Sequence, residues 1–208
     1  MKKVIVLILV FVFMGSAAFG LNMAAGGGLL YNHSVTKGSI TDDYILSGLD
    51  TFDWSMARNG FGAFAFFGLN YVEFNLGFLY KSPKNMEVTA SSGGYSVSMT
   101  FDAKDYGLEG TGALQLGAYF KYPFPVSDVF VIFPTAGLDA EITISSDEGW
   151  WSDVWLRGGL GLDIFFNQRT FLRTHFIYGY GIPVGGEEML GLDYSHGLLI
   201  KVGVGFMF

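Results

Sequence analysis

The sequence predicts an all-β protein, an eight-stranded antiparallel up-and-down transmembrane β-barrel. Three observations lead there. From Leu21 onward the chain divides into alternating or nearly alternating segments of about ten residues, the length a tilted barrel strand needs to cross a bilayer. The connections between these segments run long, short, long, short, the pattern of barrels with extended outer loops and tight turns at the other end. Finally, 50% of the 208 residues are hydrophobic and only 15% charged, with mean hydropathy +0.38. Yet no internal run approaches the roughly 20 apolar residues of a spanning helix. With aromatics at 17%, the 30 glycines fit small lumen residues and short turns better than disorder.

Residues 1–20 read as a secretory signal peptide: Lys2 and Lys3, an apolar stretch over 4–14, then Gly-Ser-Ala-Ala-Phe-Gly, with cleavage after Ala18 or Gly20. The barrel domain is then 21–208, outside the cytoplasm. The chain has no cysteine, so neither a disulfide nor an N-terminal lipid-bearing thiol holds it, and membrane attachment must come from the fold. A net charge of −7 without an evident basic patch excludes nucleic acid as a partner.

The first strand, 21–31, is glycine-rich at Gly26, Gly27 and Gly28, and a long polar connection over 32–56 follows. Strand two covers 57–68, and a tight turn at Leu69 and Asn70 leads into 71–80. There Val72, Phe74, Leu76, Phe78 and Tyr80 share one face against Glu73, Asn75 and Gly77, the cleanest alternation in the chain. The second long connection, 81–106, contains a hairpin of 86–90 with 95–101 around Ser-Ser-Gly-Gly. Such a hairpin either lengthens the barrel or offers an edge strand to a partner.

Strand four, 107–122, sets Leu114, Leu116 and Phe120 against Glu109, Gln115 and Lys121. After a short turn, strand five, 129–144, sets Phe130, Ile132, Leu138 and Ile142 against Asp139 and Glu141, with Pro134 either weakening the case for a strand or marking a local break. The third outer connection is 145–153. Strand six, 154–166, places Leu156, Leu160, Leu162 and Ile164 opposite Arg157 and Asp163. A short turn at 167–169 leads to strand seven, 170–182, with Arg173 and His175 on its polar face. The fourth connection is 183–196. Phe67, Phe120, Phe130, Phe166, Phe171 and Phe208 fall at turn-side ends, and Tyr31, Trp54, Tyr80, Tyr106, Trp155, Tyr178 and Tyr180 near the loop side, as two interfacial girdles.

The last strand, 197–208, reads GLLIKVGVGFMF. Leu198, Ile200, Val202, Val204, Phe206 and Phe208 recur every second position on one face. The tail resembles the C-terminal targeting signal of bacterial outer-membrane barrels, through Lys201, Gly203, Phe206 and Phe208. That resemblance implies recognition by the barrel-assembly machinery and residence in the bacterial outer membrane, with outer-membrane lipid as a partner. In size and layout the chain is similar to the small eight-stranded families typified by the OmpA barrel domain, OmpX and OmpW. A secreted lipocalin-like barrel shares the periodicity but turns its apolar face inward, and charges this sparse would not solubilise the other face.

The inward faces carry Glu73, Glu109, Asp139, Glu141 and Asp163 against Lys121, Arg157, Arg173 and Lys201, a near-balance that implies pairing. A hairpin centred on Gly149 sets Glu141 opposite Arg157, and a turn centred on Gln168 sets Asp163 opposite Arg173. These lumen ion pairs read as a plug, since eight strands leave room for little beyond side chains; the other reading is a gated path. Catalysis would draw on His33, His175 or His196 with a serine. Ser195 beside His196, and His33 beside Ser34, fail because neighbouring strand residues point to opposite faces. No cofactor, metal cluster or phosphate loop is expected. Trp150 and Trp151, among acidic residues, are candidate contacts for a hydrophobic or sugar ligand, or interfacial anchors. The expected function is non-enzymatic: surface contact with an extracellular ligand or host surface, or envelope integrity. A passive channel for small or hydrophobic molecules is the alternative, and a lipid-modifying enzyme the third class.

Overall fold

The computed structural model describes residues 22–40, 50–106, 108–144, 150–184 and 192–208, with the backbone alone described at 106, 150–152 and 192. The leader and its cleavage point lie outside these residues. The strands are β1 (Met23–Ile40), β2 (Thr51–Leu69), β3 (Val72–Ser92), β4 (Tyr95–Asp102), β5 (Thr111–Lys121), β6 (Phe124–Pro125), β7 (Phe130–Ile144), β8 (Trp150–Phe165), β9 (Thr170–Val184) and β10 (Leu192–Met207). Eight of them form a closed antiparallel ring, β1-β2-β3-β5-β7-β8-β9-β10, and β10 returns to β1 from the pair Ala24 and Met207 up to Gly38 and Leu192. Closure removes the free edges that an open sheet would leave.

Alternation decides which way the wall faces. In β3 the side chains of Val72, Phe74, Leu76, Phe78 and Tyr80 are exposed, while Glu73, Asn75, Gly77, Leu79 and Lys81 are buried. β10 repeats this with Val202, Val204 and Phe206 outside and Lys201, Gly203 and Gly205 inside. An apolar exterior around a polar, charged interior is the polarity of a membrane barrel, the reverse of a lipocalin-like one.

The turn end is tight. Asn70 sits at φ 46° in the two-residue β2–β3 turn, a left-handed conformation that asparagine tolerates, and its Oδ1 accepts the Asn22 N–H at 2.8 Å. Between β8 and β9, Asn167 Oδ1 accepts the N–H groups of Arg169 and Thr170, both at 2.9 Å. β5 does not end in a simple turn. β6 continues its line and pairs with β7 in the same register, so Pro134 lies within a strand. Pro123 and Pro134 lack donors, and the Tyr122 N–H closes the wall there by reaching the Pro134 carbonyl at 3.2 Å.

The other end differs most from expectation. β2 and β3 run 19 and 21 residues, far beyond the ten that a bilayer requires. The described parts of the long polar connections expected over 32–56 and 183–196 are strand almost throughout, since β1 persists to Ile40, β2 begins at Thr51 and β10 at Leu192. The hairpin expected within 81–106 forms, with β3 pairing β4 from Asn85–Asp102 to Ser92–Tyr95 around Gly93 and Gly94, both at positive φ. β2, β3 and β4 thereby make a three-stranded extension beyond the ring.

Candidate functional site

Two regions follow from this frame: the charged lumen and the extension above it. At the turn end of the lumen, Arg173 binds Asp163 in a bidentate fork, with Nε to Oδ1 at 2.7 Å and Nη2 to Oδ2 at 2.5 Å, and reaches Glu73 Oε2 with Nη1 at 2.5 Å. Asp163 and Arg173 face each other across β8 and β9. Glu73, wholly buried, is also met by Lys121 Nζ at 3.3 Å, His175 Nε2 at 3.5 Å and the Asn75 amide at 3.1 Å. The rings of Phe66 and Phe171 lie 4.7 Å from the Arg173 guanidinium and cover it.

A second centre forms around Asp139. Its Oδ2 accepts Tyr119 O–H at 2.5 Å and Gln115 Nε2 at 3.0 Å, and Arg157 Nε stands 2.6 Å away. That contact is an ion pair without a well-aimed hydrogen bond. A third, nearer the outer end, pairs Lys81 with Glu141, both buried. Threaded among these charges are the buried side chains of Leu30, Leu79, Ala113, Ile177 and Leu199. Lys201 Nζ, also buried, stands over Tyr119 at 4.8 Å and Phe64 at 5.6 Å. Among the described residues the lumen is a packed core of ion pairs, rings and aliphatics.

The expected pairing of Glu141 with Arg157 does not occur. The β7–β8 register sets Ile144 opposite Trp150, which puts the hairpin midpoint two residues before Gly149. The shift brings Asp153 opposite Glu141 and Gly137 opposite Arg157, so Arg157 turns to Asp139 and Glu141 to Lys81. Glu109, expected inside, is exposed just before β5. Three girdle assignments also change: Phe171 and Trp155 are fully buried in the lumen, and Trp54 shares the lumen-side parity of β2. Lys81, Tyr119 and Phe133 were missed; for Lys81 the signal was an alternation that continues past Tyr80 into the supposed loop.

Of the assembly-signal residues, Lys201 and Gly203 face the lumen and Phe206 and Phe208 are exposed. Gly203 crosses Gly28, and a Cβ there would meet the Gly27 carbonyl oxygen at 2.7 Å, so close strand approach alone requires glycine. The Trp150 and Trp151 side chains lie outside the described residues; their backbones pair with Ile144 and Thr143. Ser195 faces in and bonds Thr36 at 3.0 Å, whereas His196 faces out to the Tyr178 hydroxyl at 3.0 Å, so the adjacent pair forms no dyad. His175 packs on the Phe133 ring, 5.2 Å away.

Register sorts the extension into two sides. Phe52, Trp54 and Met56 on β2 align with Ala90, Val88 and Met86 on β3 and with Val97, Met99 and Phe101 on β4. This apolar side continues the lumen-facing side of β2. The opposite side carries Asp53, Ser55, Glu87, Thr89, Ser96, Ser98 and Thr100, with Thr89 and Ser98 hydroxyls bonded at 2.8 Å. Tyr95, Val97 and Met99 are more than half exposed.

No protein-family model matches the chain, and no curated protein matches it in sequence. Solved structures match in layout. The outer membrane protein OprG from Pseudomonas aeruginosa is 14% identical over 90% of this chain and 95% of its own, with a TM-score of 0.43. Neisserial surface protein A is 12% identical over 91% and 97%, TM-score 0.44. The outer membrane protease OmpT from Escherichia coli is 8% identical over 90% and 96%, TM-score 0.43. Likeness of this degree assigns no lumen chemistry and no activity.

Proposed function

We propose that this chain is an integral outer-membrane barrel with a closed lumen, delivered by its leader and by the signal on β10, and that it acts non-enzymatically in surface contact through the parts standing clear of the bilayer. The observation that carries this reading is the three-stranded extension of β2, β3 and β4. It is apolar on one side, polar on the other, and its last strand presents exposed Tyr95, Val97 and Met99. The interior supports the same reading: among the described residues Arg173, Arg157, Lys81 and their carboxylates pack in the bore together with rings and aliphatics, which favours a plug over an open aqueous route.

The test uses cells displaying the chain and a Val97→Asp/Met99→Asp variant, with barrel assembly monitored by a heat-dependent gel shift. Attachment to host cells or immobilised matrix should fall to the level of cells lacking the chain, while the gel shift is retained. Unchanged attachment would sink the contact role. Discrete conductance steps from refolded protein in planar bilayers would replace it with a channel.

A further inference from the structure

Outside the barrel, just above the apolar belt, β1, β9 and β10 carry a strip of rings and basic groups that the lumen and the extension do not use. Register sets Val35, His196 and Tyr180 in one row, Lys37 and Tyr194 in the next toward the loops, and His33, Leu198 and Tyr178 in the row below. The rings are in mutual contact. Tyr180 stacks on Tyr194 at 5.2 Å and 18°, and Tyr194 and Tyr178 each lie 6.2 Å from the His196 ring. Lys37 Nζ stands 5.9 Å from the Tyr194 ring centroid.

The two imidazoles are held by one nitrogen each. His196 Nδ1 shares a hydrogen bond with the Tyr178 hydroxyl at 3.0 Å; with the hydroxyl donating, Nε2 carries the imidazole N–H. His33 Nδ1 lies 2.8 Å from Asn59 Oδ1, which also accepts the Tyr31 hydroxyl at 3.2 Å. Asp193 closes the loop end of the strip and is engaged by the Ser39 hydroxyl at 3.0 Å. Most exposed charges at this end are acidic, among them Asp53, Glu87, Asp102, Asp105 and Glu109, and Lys37 is one of three exposed lysines there among the described residues, with Lys84 and Lys104.

We infer that this strip is a binding site for a phosphate-bearing sugar headgroup of an outer-leaflet lipid. The Lys37 ammonium supplies charge-assisted donors for phosphate, His196 Nε2 adds one when the Tyr178 hydroxyl donates to Nδ1, and the exposed tyrosine rings supply flat faces for a sugar. A lipid, and not a soluble phosphate, is the occupant because the next rows down, Tyr31 with Ile200 and Phe176, then Leu29 with Val202, continue directly into the apolar belt where its chains would lie.

The inference rests on the outer-membrane reading, and one experiment separates the two. The mature chain is refolded into phosphatidylcholine vesicles containing about a tenth lipid A or the same lipid stripped of its phosphates, insertion is scored by the heat-dependent gel shift, and lipid retained on the extracted protein is counted by native mass spectrometry. Lipid A should be retained about tenfold over its phosphate-free form. The His33→Gln/Lys37→Gln/His196→Gln variant should lose that preference, and Lys104→Gln, elsewhere on the surface, should keep it. Equal retention of both lipids by inserted protein, or a preference that survives the triple variant, would overturn the headgroup site alone. Full displacement by millimolar inorganic phosphate would overturn the lipid as occupant. Failure to insert would overturn both readings.

Discussion

Replacing Arg173 with methionine tests whether the lumen charges are structural. Arg173 is the hub of the turn-end cluster, holding Asp163 through two contacts and Glu73 through one. The two carboxylates lose unequal amounts. Glu73 retains Lys121 at 3.3 Å and the Asn75 amide at 3.1 Å, so its charge stays compensated. Asp163, only 5% exposed, loses its fork and is left as a buried anion. Breaking a buried pair from one side costs about 3–5 kcal/mol, and most of it should fall on Asp163. Removing that anion as well, in Arg173→Met/Asp163→Leu, should recover most of the loss, since replacing both partners with apolar groups of similar volume is often neutral. The assay is reversible denaturant unfolding of the barrel in lipid vesicles, read by the midpoint at constant slope for the four members of a double-mutant cycle. A single variant losing less than about 1 kcal/mol, or a double variant no more stable than the single, would refute the claim that this cluster is a mutually satisfied plug.

Lys81 and Glu141 should tolerate reversal as a pair: Lys81→Glu alone destabilises by about 3 kcal/mol or more, and adding Glu141→Lys recovers much of it, whereas adding Arg157→Glu does not. Unfolding midpoints decide, and rescue through Arg157 would contradict the register. Gly203→Val forces a Cβ to within 2.7 Å of the Gly27 carbonyl and should cost about 3 kcal/mol, the upper end for overpacking, seen as loss of the compact gel band on refolding in detergent. Phe208→Ser, with its ring 61% exposed, should refold in detergent like the parent yet reach the membrane of cells poorly; equal cellular yield would remove Phe208 from the assembly signal.

Much of the barrel was legible because its physics is periodic. Val72 to Tyr80 alternate without a break and every second residue from Leu198 to Phe208 is apolar, so both runs read as strands with one apolar side, and the sparse charge on the other side set that apolar side outward. The Asp163–Arg173 pairing followed from a short turn whose centre the sequence marks with Asn167, Gln168 and Arg169. Glu141 was misassigned for the converse reason. Its hairpin is long, so nothing local fixes the midpoint, and an error of two residues moves every partner by four. Phe171 and Trp155 were placed at the interface because large aromatics favour it. In the lumen they instead lie against glycines, Phe171 over Gly205 and Trp155 over Gly181, so it is the small residue on the adjacent strand that decides where the ring goes.

The outer boundary of the belt is also written in the sequence, in a signal subtler than hydropathy. Along β2 the outward, odd positions are apolar from Phe67 back to Phe61 and polar or small from Asn59 back to Thr51, while the lumen-side even positions carry rings at both ends, Phe66 and Phe64 below and Trp54 and Phe52 above. Since the strand does not change parity, its outer side switches from apolar to polar between Phe61 and Asn59. β3 makes the same switch by another device. Its apolar residues stay on even positions from Val72 through Val88, but the bulge at Lys84, where Ala57 pairs Asn85 and Arg58 pairs Pro83, turns the even positions inward. Two adjacent strands thus lose their apolar outer side at the same height by different means, one by a change of residue type and one by backbone register. Coincidence at a single height is what a change of solvent would select: lipid below, where outward apolar groups are favoured, and water above, where the same groups gain by turning toward the axis. The extension is therefore built for the aqueous side of the boundary, and the Tyr178, Tyr180 and Tyr194 strip on the opposite wall lies close to where that boundary meets β9 and β10.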